Sequence, residues 1–283
     1  MALRKTQRTT DLARAGTIQS VRRALLLLKT FGPSRPELGV NELARMHGLH
    51  PSSVSRLLAT LAEAGLVRAD PETRRYRLGL GILELAAVLL RDFDVRSAAQ
   101  PVMRDLSRLV QETVNLSVLD GAEAVIIDQV AAPSGVAFVS WIGRRTPVHA
   151  TSHGKLLLAY LAEPRQDEVL GTITDRSGRL PKITERTIDT VKELVDEMAL
   201  IRRRGYATAR GEFHPDTSGV SAPIFGPTGE VAAALVVAGP SFRVSQRRQM
   251  ELAPTVIETA AGISREIGWV SRADANPTER GAG

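Results

Sequence analysis

The chain has 283 residues, 43% hydrophobic and 24% charged, the balance of an ordinary globular protein with room for two domains. It has no cysteine, which excludes disulfides, thiolate nucleophiles and cysteine-ligated metal centres and agrees with a reducing cytoplasm. The net charge of +6 is unevenly spread: residues 1–78 hold 14 basic and 6 acidic side chains, a balance of +8 against −2 for the rest. A basic N-terminal portion points to a polyanion partner, because neutralising phosphates releases counterions. No apolar run reaches the ~20 residues needed to span a bilayer. The start, MALRKTQRTTDLARAG, lacks the apolar stretch of a secretory signal.

In chain order, residues 1–16 read as a disordered basic tail. A helix is predicted over Ile18–Phe31, with Val21, Ala24, Leu25 and Leu28 on its buried face, ended by Gly32, Pro33 and Pro36. A short helix over Val40–His47 turns inward Leu43, Ala44 and His47. After the turn Gly48-Leu49-His50, a third helix starts at Pro51, whose missing N–H is not needed there, and runs to about Ala64. Two short strands, Leu66–Ala69 and Arg75–Leu78, flank the turn Asp70–Arg74. A helix over Leu80–Leu90 links the domains and offers a face to a second subunit.

The C-terminal portion begins with a long amphipathic helix, Val95–Glu112. Strands follow at Val114–Asp120, Val125–Val130 and Val136–Ile142, then helices at Gly154–Leu161, Pro164–Leu170 and Ile188–Arg204. Further strands are expected at Tyr206–Arg210, Val220–Phe225 and Val231–Ala238, and a closing helix at Gln246–Val270. The fold class is α+β: an N-terminal winged helix-turn-helix, a linker helix and a larger domain with a mostly antiparallel sheet. The expected divisions are 1–16 (tail), 17–79, 80–94 (linker), 95–271 and 272–283 (a second disordered tail).

The stretch VNELARMHGLHPSSVSRLLATL satisfies the demands of a helix-turn-helix. Ala44 is small enough for two helices to cross closely. Gly48 supplies a residue that tolerates positive φ, and Leu49 plugs the turn. Val54, Leu57 and Leu58 point inward, leaving Ser52, Ser53, Ser55 and Arg56 to face a major groove. Arg56 suits a fork onto guanine or a clamp on phosphate. Arg74, Arg75 and Arg77 on the hairpin are expected at the DNA backbone or minor groove, and Arg22 on the first helix is expected to contact DNA. Tyr76 is expected to pack beneath the hairpin.

The segment SVRRALLLLKTF…VNELARMHGLHPSSVSRLLATLAEAGLVRADPETRRYRLG resembles the winged helix-turn-helix of IclR-type bacterial regulators. GRRTPVHATSHGKLLLAYLA and RGYATARGEFHPDTSGVSAPIFGPTGEVAAALVVAGP resemble two blocks of that family's C-terminal half, so the likeness covers about residues 18–270. It implies a GAF/profilin-like effector-binding domain, a homo-dimer or tetramer, double-stranded operator DNA as partner, a small-molecule effector, and neither cofactor nor membrane. It implies an effector pocket lined by Trp141, Gly143, Thr151, Ser152, His153 and Gly154 on one side and Ala209, Gly219, Val236 and Ala238 on the other, with Glu212 at its border. Members that sense glyoxylate or pyruvate carry polar groups at the last four positions, where this chain has small or apolar ones. Such a lining suits a larger, more apolar acid, since stripping a small oxoacid of water without partners is unfavourable. The acid's carboxylate would suit the N-terminus of the helix beginning near Gly154.

Other chemistry has weaker support. His149 and His153 are four apart, yet no acid occupies the Glu place of H-E-x-x-H, so no metal site is expected. Ser152–Lys155 formally matches S-x-x-K, but no S-D-N or K-T-G follows. Two rivals remain open on the sequence: a small hydrolase using Ser152 and Lys155, and a winged-helix module for protein or RNA. The first reading is a cytoplasmic, effector-controlled repressor or activator that is not an enzyme.

Overall fold

A computed structural model describes residues 18–32, 34–91, 94–133 and 140–269. The tails expected at 1–16 and 272–283 lie outside them, as does most of the strand expected at Val136–Ile142, of which Ser140–Ile142 are described as irregular or turn. The chain forms two compact units, Met1–Asp92 and Phe93–Gly283. The division falls inside the expected linker and leaves the helix after the hairpin with the first unit.

The N-terminal unit comprises α1 (Gln19–Leu28), α2 (Val40–His47), α3 (Pro51–Glu63), β1 (Val67–Ala69), β2 (Tyr76–Leu78) and α4 (Gly81–Arg91). Its core joins Leu27, Phe31, Leu38, Leu43, Ala44, Val54, Leu58, Leu61 and Val67. Gly48 caps α2 in the left-handed region at φ 62°, with its N–H on Ala44 O, which turns the chain into α3. Ser52 N–H donates to His50 Nδ1 at the start of α3 (3.3 Å).

The buried face of α1 meets the expectation in part: Ala24 and Leu28 pack against the core. Leu27 is its buried anchor, whereas Val21 and Leu25 are each 52% exposed. The run ALLLL has apolar side chains all round, so helical period cannot choose the inward face there. A main-chain bridge also goes beyond the sequence reading: Leu38 and Tyr76 exchange both N–H···O bonds (2.9 and 2.8 Å), stitching the approach to α2 onto the hairpin.

The second unit is built on a six-stranded sheet in the order β5-β4-β3-β8-β7-β6, antiparallel at every pairing. The strands are β3 (Thr113–Asp120), β4 (Glu123–Val130), β5 (Arg145–Pro147), β6 (Ala207–Arg210), β7 (Thr217–Phe225) and β8 (Val231–Pro240). The short β5 was absent from the sequence reading. Its helices are α5 (Asp94–Val110), α6 (Ser152–Ala159), α7 (Glu163–Ile173), α8 (Val191–Arg204) and α9 (Gln246–Glu266).

Both sheet faces are covered. Val114, Leu116, Val220, Ala222, Leu235 and Val237 pack with Met103 of α5 and Val256 of α9. Ala234 and Val236 on the opposite face pack with Leu156 of α6 and Met198 of α8. Strand alternation thus divides each strand between two cores. Gly154 permits the tight seat of α6, since a Cβ there would come within 2.6 Å of Val148 Cα and O. Gly205 ends α8 at φ 77°.

Candidate functional site

The outward face of α3 is open. Ser52, Ser55 and Arg56 are exposed and Ser53 is half-buried, while Val54 and Leu58 face inward. The side chain of Arg56 makes no ion pair or hydrogen bond among the described residues. Ser52 Oγ lies 2.7 Å from His50 Nδ1, which draws that hydroxyl toward the helix start.

The hairpin arginines divide into two kinds. Arg75 Nη2 bonds Glu42 Oε2 (2.9 Å) and Glu37 O (3.0 Å). Arg77 Nη2 reaches Asp70 Oδ2 at 2.7 Å and Glu37 Oε1 at 2.9 Å. These two bind the wing to α2 and to the approaching chain. Asp70 also accepts from the Thr73 and Glu72 N–H groups in the turn, and the Thr73 bond is the chief force holding its carboxyl below the ordinary range. Arg22, Arg68 and Arg74 carry no such partner among the described residues and lie on α1 and on the hairpin. Arg68, one of the basic residues of the N-terminal portion, sits on β1 opposite Arg77, which marks it as a wing residue. Tyr76 packs half-buried against the core, as expected.

In the second unit a cavity of about 480 Å³ opens between the sheet, the start of α6 and the 211–217 loop. Of the residues that the sequence places there, Trp141, Thr151, Ser152, His153, Ala209, Glu212, Gly219, Val236 and Ala238 line it. Gly143 and Gly154 do not. Gly143 forms a turn at φ 80° with its N–H on Ile126 O, and Gly154 serves the packing of α6. Thr113, Asn115, Gln129 and Phe213 line it too and were missed. A signal for Asn115 existed: in Val114–Val118, polar Asn115 and Ser117 alternate with apolar neighbours. Alternation alone reads as a solvated face, whereas this face lies under α6.

Thr151 caps α6, its Oγ1 accepting from Gly154 N–H (3.1 Å), and Lys155 N–H reaches Thr151 O (2.9 Å). The N–H groups of Ser152 and His153 make no hydrogen bond among the described residues, as the first turn of a helix dictates. They supply donors and the positive end of a helix dipole at the cavity. His153 Nε2 pairs with Thr146 Oγ1 at 2.9 Å. Burial pushes its imidazole down to about 4, so it is neutral at physiological pH.

Lys155 is engaged by Glu212 and makes no hydrogen bond to Ser152 among the described residues. Its Nζ bonds both carboxylate oxygens of Glu212 (2.9 and 2.7 Å) and it is 2% exposed. His149 Nε2 lies 2.8 Å from Pro181 O, so the two histidines hold different partners. Arg144 stacks over Trp141 (4.1 Å to the ring centre) and faces Phe213 (5.6 Å), joining two aromatic walls of the cavity.

Comparison with known proteins finds two family domains along the chain. The IclR helix-turn-helix domain matches residues 20–71, and the bacterial transcriptional regulator IclR C-terminal domain matches residues 87–265. The HTH-type transcriptional regulator XynR of Escherichia coli is 31% identical over 252 residues, 89% of this chain and 98% of that protein. The crystal structure of the Thermotoga maritima IclR superposes with a TM-score of 0.73 at 28% identity, covering 89% of this chain and all of that one. An IclR homologue from Microbacterium hydrocarbonoxydans, solved in complex with 4-hydroxybenzoate, superposes with a TM-score of 0.72 at 26% identity, covering 88% and 99%.

Proposed function

The chain belongs to the IclR family of bacterial transcriptional regulators, and from that premise we propose that a small molecule in its C-terminal cavity controls its hold on an operator. It is a DNA-binding regulator and not an enzyme. In this reading α3 enters the major groove, with Ser53, Ser55 and Arg56 at base edges and Ser52 at its rim. Arg22, Arg68 and Arg74 meet phosphates, while Arg75 and Arg77 hold the wing in shape.

The effector is a carboxylic acid larger and more apolar than glyoxylate. The observation that carries this is the cavity of about 480 Å³, whose lining includes Ala209, Gly219, Val236 and Ala238 beside the free N–H groups of α6. The aromatic acid bound by the Microbacterium relative supports the same class. The working unit is a homo-oligomer with a two-fold or repeated operator. Apolar side chains left outside on α1 and α4 support that, Leu83 being 65% and Val88 66% exposed. The effector acts by binding one arrangement of the oligomer better than the other, since only differential affinity shifts such an equilibrium.

The test is a gel shift on the DNA upstream of the protein's own gene, with a panel of carboxylic acids. The expected result is a specific complex whose affinity changes at least tenfold with an aromatic acid and not with glyoxylate. A complex indifferent to every acid overturns the effector reading, and equal affinity for random DNA overturns the operator reading.

A further inference from the structure

The backbone N–H groups that open α3 are all taken. Pro51 has none. Ser52 N–H donates to His50 Nδ1 (3.3 Å), and the N–H groups of Ser53 and Val54 both donate to His50 O (3.0 and 3.2 Å). His50 therefore closes the start of the helix with its main chain and its ring together. Bare N–H groups are what a helix start usually turns toward a phosphate, and residues 51–54 leave none.

The same contacts fix the proton on the ring. A peptide N–H can only donate, so Nδ1 accepts and carries no hydrogen, and the proton of the neutral imidazole sits on Nε2. Ser52 Oγ, 2.7 Å from the same Nδ1, is then the donor in that contact. Nε2 lies across the ring from both bonds. His50 is exposed, and its Nε2 makes no hydrogen bond among the described residues. The chain thus holds one oriented N–H donor in solvent at the head of the helix whose exposed residues include Ser52, Ser55 and Arg56. A ring already fastened on one side gives up little freedom when its other side meets a partner.

We propose that His50 is a further DNA-contacting residue, donating its Nε2–H to a backbone phosphate at the rim of the groove that α3 enters, in place of the N–H groups it has used up. This rests on the reading of α3 as the recognition helix and adds a sequence-independent contact to it. A cap residue precedes the residues that reach base edges, which sets it beside the DNA backbone rather than over the bases. The donor is neutral. It adds affinity without adding a cation, so it differs from Arg68 and Arg74 in leaving the salt dependence alone.

The test is fluorescence anisotropy of the full chain at pH 8, on the upstream DNA and on a random duplex over a salt series, for the wild type, His50→Ser and His50→Ala. Thermal unfolding of each is followed in parallel. Serine restores a strong helix cap but is too short to carry a donor beyond the helix start, and alanine does neither. Both variants are expected to bind both duplexes about fivefold or more weakly than the wild type, with the salt slope unchanged. The serine variant is expected to be more stable than the alanine one. Wild-type affinity in His50→Ser overturns the proposal, because the ring then serves only as a cap. A loss confined to the upstream DNA overturns the phosphate contact, and a slope smaller by about one overturns the neutral donor. Arg56→Ala, measured alongside, separates this inference from the reading beneath it. Full sequence preference in that variant refutes the placement of α3 and this inference together. A weakened Arg56→Ala beside an unchanged His50→Ser refutes this inference alone.

Discussion

Lys155 Nζ stands 2.7 and 2.9 Å from the two carboxylate oxygens of Glu212, in a setting that leaves the lysine 2% exposed. The carbonyl of Glu212 is meanwhile taken by Thr187 Oγ1 (2.6 Å), and that of Gly211 by Thr184 Oγ1 (2.6 Å). The pair therefore fastens α6 to the 211–217 loop, the two elements that wall the cavity. Removing one partner strands a buried charge.

Lys155→Ala is accordingly expected to lower unfolding stability by about 3–5 kcal/mol. Replacing the pair together, as Lys155→Met with Glu212→Leu, is expected to lose much less. Urea denaturation of the two variants measures the difference; equal losses would show that the stranded carboxylate is not the cause.

His153 gives the second unit an acid-sensitive stability. Its imidazole is held at about 4 by burial, against an ordinary 6.5. The unfolded chain therefore takes up a proton first as pH falls, and stability drops from about pH 6.5 down to about pH 4, then levels off. The loss from this residue is expected to be about 2 kcal/mol at pH 5 relative to pH 7.5. Burial lowers His149 as well, which acts in the same sense. Comparing thermal unfolding at the two pH values in the wild type and in His153→Gln checks this. An unchanged pH response in the variant would assign the effect elsewhere.

Filling the cavity should separate sensing from DNA binding. Ala238→Phe adds a ring over the floor beside Gly219. The expected result is loss of response to acids, with operator affinity in their absence within a few-fold of the wild type. A variant that still responds would put the effector in another place.

The two kinds of wing arginine should behave differently. Arg68→Ala and Arg74→Ala are each expected to reduce the slope of log affinity against log salt by about one. Arg75→Ala is expected to destabilise the N-terminal unit through Glu42 while leaving that slope nearly unchanged at temperatures where the unit is folded. Fluorescence anisotropy across a salt series distinguishes them.

Much of the N-terminal unit was legible because its constraints are local. Ala44, Gly48, Leu49, Pro51 and Val54 each answer a fixed demand within one helix-turn-helix, and α2 fell on its expected bounds. Leu27 was hidden among four consecutive leucines, where pattern gives no inward direction. The ion pairs Arg75–Glu42 and Arg77–Glu37 each join residues more than thirty apart, and nothing in the local sequence announces them. The cavity was legible on the α6 side through the resemblance. Asn115 was not, because its polarity looks like a solvent-facing strand position until a helix is known to cover that face.

The most direct test of the central claim is binding of wild type and Arg56→Ala to the upstream DNA and to random duplex over a salt series. The account predicts that the wild type prefers the upstream DNA and that Arg56→Ala weakens this preference at least tenfold while remaining folded. A variant that keeps the full preference would contradict the placement of α3 in the groove.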